Sequence, residues 1–139
     1  ANGLVLYANA GHCPPVLHRH GLGTSVLLQP TGGILGIVDD QYVGVENVNM
    51  QPGDVLVMYT DGITEAQDRA GTIYGESRLQ GVIADACTGS AYEVALAILD
   101  DVQRFAAGAT YSDDRTLVVI KRRFPSDLPA ALPAAAPAA

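Results

Sequence analysis

The hydrophobic and polar positions of the chain follow two periods, and the switch between them divides it. Residues 3–10, Gly-Leu-Val-Leu-Tyr-Ala-Asn-Ala, are rich in aliphatics and predict a mostly buried strand. Gly11-His12-Cys13-Pro14-Pro15 breaks it, because neither proline can donate to a ladder. Residues 16–19 resume as a strand, Gly21 and Gly23 bracket a turn, and residues 25–28 form the next strand, which predicts a hairpin. His18 and His20 fall on this hairpin and read as solvated. The glycine-rich stretch 30–37 lacks the Gly-Lys-Ser/Thr of a phosphate-cradling loop, so its glycines serve tight turns and close packing. Asp39 and Asp40 read as a charged turn. Residues 42–49 alternate and predict a half-exposed strand, and Gln51-Pro52-Gly53-Asp54 predicts a turn. Residues 55–59, Val-Leu-Val-Met-Tyr, form a strand buried on both faces that ends at Thr60-Asp61-Gly62.

Beyond Gly62, residues 63–75 read as a polar loop carrying Glu65, Asp68 and Arg69. The period then becomes helical. Leu79, Val82, Ile83 and Ala86 share one face of a helix that starts near Glu76 and stops near Gly89. Ser90 with Glu93 three residues on forms a capping box for a second helix, whose apolar face is Val94, Ala95, Ile98, Val102 and Phe105 and which ends at Gly108. Residues 116–120 are a final buried strand, closed by basic residues 121–123. Residues 124–139 are alanine and proline with little to bury, and predict a disordered tail. Antiparallel strands, two helices and a last strand make an α+β layout with helices on one face of a sheet. The first 123 residues then form one domain and residues 124–139 the tail.

Charge and cysteine content narrow the classes. A formal net charge of −7 disfavours a nucleic-acid backbone and an anionic membrane surface as partners. No apolar run reaches membrane-spanning length. Cys13 and Cys87 stand far apart in no metal-ligand spacing, which fits reduced thiols and a cytoplasmic setting. The chain opens on Ala1 almost inside a strand, which points to a portion of something longer.

The chemistry rests on acids at strand ends. Asp61 follows one buried strand, and Asp113 with Asp114 precedes another. If those strands pair antiparallel, the acids meet at one end of the sheet. Like charges that close call for a cation, and oxygen-only ligands suit Mg2+ or Mn2+. Solvated turn acids that bind no metal explain the same residues. His12 is a third point, either a general acid near neutral pH or a packed loop histidine.

In order and spacing, Ala8-Asn9-Ala10-Gly11-His12-Cys13-Pro14-Pro15, Leu35-Gly36, Pro52-Gly53-Asp54, Tyr59-Thr60-Asp61-Gly62-Ile63-Thr64-Glu65-Ala66, Tyr74-Gly75 and Asp113-Asp114-Arg115-Thr116-Leu117 resemble bacterial metal-dependent serine/threonine phosphatases. The subgroup is the SpoIIE/RsbU type of the PPM superfamily. The resemblance implies part of an α-β-β-α sandwich of antiparallel sheets with flanking helices, and two Mn2+ or Mg2+ ions between the sheets. It implies that Asp61 and Asp113 are metal ligands, with Asp114, Gly62, Glu65 and His12 adjacent to the site. It implies a phosphorylated regulatory protein as substrate, a STAS-type anti-anti-sigma factor being the expected kind. The family's metal-bridging aspartate has no counterpart in this chain, so the chain corresponds to the C-terminal portion of a catalytic domain and is expected to be inactive alone. A non-catalytic regulatory domain on the same fold is the alternative.

Overall fold

The structure, a computed structural model, describes residues 2–37, 39–109 and 114–127. In chain order the elements are β1 (Leu4–Tyr7), β2 (Val16–Arg19), β3 (Thr24–Leu27), β4 (Glu46–Asn49), β5 (Val55–Tyr59), the short helix α1 (Asp61–Thr64), α2 (Glu76–Ala86), α3 (Ala91–Phe105) and β6 (Leu117–Lys121). Among the described residues β1 and β4 pair as a two-stranded sheet, and the others form a four-stranded sheet in the order β3-β2-β5-β6. Every neighbouring pair in both sheets is antiparallel.

Alternation along β2 and β5 builds two cores on opposite faces of the larger sheet. Val16, Val55, Val57 and Tyr59 face α2 and α3 and pack with Leu79, Ile83, Val94, Ile98 and Val102. Leu17 and Leu56 face the other way and pack with Leu28 and Met50 against Val5, Tyr7 and Val48 of the smaller sheet. The layers are therefore helices, four-stranded sheet and two-stranded sheet, three of the four layers of an α-β-β-α sandwich.

Where layers are thin the expected burial is not reached. The strand expected over 3–10 shortens to β1, and its alternate residues Leu4 and Leu6 are 51% and 66% exposed, because the smaller sheet is covered on one face only. β4 spans four residues rather than eight, since residues 41–45 make only an isolated bridge from Val43 to Gly32. β6 is an edge strand: Leu117 and Val119 reach the helix-side core, whereas Val118 and Ile120 are exposed. The segment 63–75 is also not a polar loop. Ile63, Ala66 and Tyr74 are buried in the main core, and the Tyr74 hydroxyl donates to Asp101 on α3 (2.9 Å). Arg78 of α2 donates to both oxygens of Asp101 and lies over the Phe105 ring, which ties α2 to α3.

The Gln51–Asp54 turn is present, and Gly53 has φ +90° with a ring of His20 where a Cβ would stand. The buried Asp54 carboxylate accepts from Gln51 N–H (2.8 Å), His20 N–H (3.0 Å) and Arg19 Nη1 (3.0 Å), so its charge is met by three donors. His18 is not solvated. It is 2% exposed on β2, with Nδ1 3.1 Å from the hydroxyl of Ser25, its register partner on β3. Asp39 and Asp40 are exposed in a turn, with Asp40 at φ +57°. Of the expected tail, Phe124 stacks edge-on against His20 and Pro125–Asp127 form a single 3-10 turn; residues 128–139 lie outside the described residues.

Two measurements check this packing. Ser90 accepts from Glu93 N–H while Glu93 accepts from Ser90 N–H, a complete capping box on α3. Ser90→Ala should lower unfolding free energy by about 1 kcal/mol in urea titration. Burial holds the His18 imidazole below its ordinary value of 6.5. The neutral ring then contributes stability that is present above pH 6.5 and is lost as pH falls from there towards the folded-state value. Between about pH 7.5 and pH 5.5 the wild type should lose more stability than His18→Gln, and equal losses would contradict this role for His18.

Candidate metal centre

β5 and β6 keep ladder register up to the pair Tyr59 and Leu117. One residue further, Thr60 N–H donates to the Thr116 carbonyl (3.1 Å). The ladder then stops, because Asp61 turns into α1. The hydroxyl of Thr60 takes over. It donates to the Asp114 carbonyl (3.0 Å) and accepts from Thr116 N–H (2.9 Å). From the other side Arg115 Nε donates to the Gly62 carbonyl (3.2 Å). Residues 114–116 are thus fastened across residues 60–62.

Asp61 is held by what surrounds it in sequence. Thr60 is extended and is followed at once by helical backbone, so the turn occurs at the carboxylate. Ile63, two residues on, is fully buried and anchors the turn in the main core. Glu65 N–H donates to the Asp61 carbonyl (2.7 Å) and closes it. The Asp61 side chain is left exposed, with Oδ1 accepting from Gly62 N–H (2.9 Å). A carboxylate on a rigid strand exit, facing solvent, is available to a ligand without unfolding anything.

The sequence-predicted site residues fall as follows. Asp61, Gly62 and the backbone of Asp114 come together at the β5–β6 seam. Asp113 lies outside the described residues. Asp114 is exposed beside the seam, and Glu65 is exposed one helical turn beyond Asp61. His12 is on the loop after β1. Its N–H donates to Asn9 Oδ1 (2.7 Å), and Asn9 Nδ2 returns a bond to the His12 carbonyl (3.0 Å), so the buried Asn9 shapes this loop. The His12 ring is exposed, with Nδ1 3.3 Å from the Cys13 carbonyl. It lines an open cavity of about 360 Å³ shared with Thr60 and Thr116 at the seam.

The electrostatics of this end are negative. Burial raises the Cys13 thiol above its ordinary value, and the charges of Asp61, Glu65 and Glu76 push it in the same direction. Burial, then Glu76, also raises the Tyr59 phenol, whose hydroxyl donates to Glu76. Carboxylate oxygens in such a field suit a hard divalent cation, so the donor chemistry fits Mn2+ or Mg2+. Among the described residues no group of three or more His, Cys, Asp or Glu side chains is clustered to hold a metal.

Thr60, Arg115 and Asn9 escaped the reading of the sequence. A threonine closing an apolar strand run satisfies strand patterning without any further role. Arg115 beside two aspartates suggests a local ion pair rather than a bond to Gly62. Asn9 inside an apolar run was the stronger signal, since a buried amide needs partners.

Residues 1–123 match the family described as Stage II sporulation protein E (SpoIIE). Among curated relatives, phosphoserine phosphatase RsbU of Bacillus subtilis is 30% identical over 117 residues, covering 84% of this chain and 34% of the relative. Protein IcfG of Synechocystis is 28% identical over 122 residues, covering 88% of this chain and 19% of the relative. The chain therefore spans about a third or less of the curated relatives it matches. The solved structure of the RsbU and RsbW domains of Rv1364c from Mycobacterium tuberculosis superposes with a TM-score of 0.67 at 28% identity, over 88% of this chain and 33% of that one. Layered sheets, the Asp61-Gly62 strand exit and a match across 123 residues agree: the chain belongs to the SpoIIE family of PPM-type phosphatase domains.

Proposed function

We propose that this chain is the C-terminal portion of the catalytic domain of a metal-dependent protein serine/threonine phosphatase. The observation that carries the reading is the β5–β6 seam, where residues 114–116 are bonded to Thr60 and Gly62 on either side of Asp61. PPM phosphatases are generally Mn2+- or Mg2+-dependent, and the seam offers acids of the type such ions take. In the intact domain Asp61 and Asp113 would hold metal, with Asp114 beside them. When bound, such ions bring the pKa of a coordinated water towards neutrality and offset charge on phosphoryl oxygens.

The chain's own residues supply position. Gly62 N–H fixes one Asp61 oxygen, which leaves the other directed by the rigid turn. Buried Ile63 and the Glu65 N–H bond keep that turn from moving. His12 lines the cavity it shares with Thr60 and Thr116 of the seam, and Asn9 sets its loop. The substrate in this reading is a phosphoserine or phosphothreonine on a bacterial regulatory protein, of the STAS anti-anti-sigma kind, and the setting is cytoplasmic. Among the described residues no helix is long and apolar enough to cross a membrane.

In this reading the chain alone is inactive, its shell completed by further carboxylates of the domain. The second reading is a non-catalytic regulatory domain on this fold.

One experiment separates the two. A longer polypeptide that joins this chain to the family's upstream bridging aspartate should release phosphate from a phosphoserine protein when Mn2+ is added. Asp61→Asn should reduce that rate by more than about 100-fold, beyond the range seen for partners one shell removed from a metal. Full activity in Asp61→Asn would end the ligand assignment. No activity in either protein, both being folded, would favour the regulatory reading.

A further inference from the structure

We infer that Thr60 is the positioning residue of this site: its hydroxyl, rather than the sheet, holds residues 114–116 in register with Asp61. The sheet cannot do this itself. The ladder between β5 and β6 ends with Thr60 N–H on the Thr116 carbonyl, and the next residue, Asp61, is already helical. Past that point the acidic segment needs a different tether. The Thr60 hydroxyl fills both roles open to it, donating once and accepting once. It meets the Asp114 carbonyl at 3.0 Å and the Thr116 amide at 2.9 Å, and so grips the segment on both sides of Arg115. Arg115 closes the loop in the opposite sense through the Gly62 carbonyl.

The chemistry singles out the hydroxyl. Valine matches threonine in shape and strand preference but can neither donate nor accept. Thr60→Val would leave a carbonyl and an amide without this partner while the β5–β6 ladder, including Thr60 N–H, stays intact. Thr60→Ser keeps the hydroxyl and loses only a methyl. The backbone bonded by Thr60 directly follows Asp113 in sequence. If Asp61 and Asp113 both hold metal, as proposed above, a loosened segment weakens the site without removing either ligand.

The inference rests on the metal-site reading only for its consequence, and the test has an arm for each. Wild type, Thr60→Val and Thr60→Ser, each within the longer polypeptide that carries the family's upstream bridging aspartate, are compared by amide hydrogen exchange, with the Val57 amide in the middle of β5 as the control for folding. In Thr60→Val the Thr116 amide should exchange roughly 5-fold faster, and in Thr60→Ser it should exchange as in wild type. Mn2+ is then titrated while line broadening is read at the Gly62 amide. Thr60→Val should bind Mn2+ about 10-fold or more weakly, and Thr60→Ser should recover most of the affinity. Wild-type exchange at Thr116 in a folded Thr60→Val would overturn the inference, as would faster exchange with unchanged Mn2+ affinity. If the wild-type longer polypeptide shows no broadening at Gly62, the metal reading fails, and the exchange arm alone decides the role of Thr60.

Discussion

The structure depends on the seam between β5 and β6. β5, like β2, has neighbours on both sides and contributes to both cores, so its position is over-determined: Val55 and Val57 are locked under the helices and Leu56 between the sheets. β6 is an edge strand, half exposed, and takes its place from β5. Every group of interest at the site inherits its location from that pairing. Asp61 leaves the end of the rigid strand, and the acidic segment enters the start of the dependent one. A sheet gives register for as long as both chains stay extended. Where Asp61 turns helical that control ends, and side chains of Thr60 and Arg115 extend it across the gap.

A second set of bonds holds the opposite end of the same strand. Asp54, the residue before β5, is buried and meets Arg19, His20 N–H and Gln51 N–H. Removing one partner would leave a buried charge partly uncompensated, which is costly, so the turn into β5 is stiff. Nearby, Gly53 allows His20 and Phe124 to close over the turn. A strand pinned at its entry by a buried carboxylate and covered on both faces can present another carboxylate at its exit without drift. Asp61, two residues past the end of β5, is exposed to solvent, while all of β5 but the half-buried Met58 is buried.

Much of this could be read from the residues. The 2.0 and 3.6 periods placed both helices within a residue or two, the Ser90 and Glu93 pair marked a cap that is present, and the buried run 55–59 is the central strand. The motif order around Asp61 identified the family. What escaped has physical causes. A polar-looking segment hid Ile63, Ala66 and Tyr74, because three anchors spaced irregularly around polar residues carry no period. The same holds for His18, which composition alone cannot distinguish from its exposed neighbours on a hairpin; its burial comes from the layer above it. Exposure of Leu4, Leu6, Val118 and Ile120 was equally invisible, since an aliphatic run reports what a strand can bury and not what covers it. The clamp at Thr60 was illegible because its partners are main-chain groups more than fifty residues away, and backbone acceptors leave no mark in sequence.

The account stands on Asp61 as a metal ligand at the seam. The most direct measurement is anomalous diffraction at the manganese edge from Mn2+-soaked crystals of a SpoIIE-family domain containing this chain. The account predicts an anomalous peak within about 2.5 Å of an Asp61 carboxylate oxygen, the bonding range for hard cations and oxygen. Manganese bound elsewhere in the domain, with none at Asp61, would contradict it.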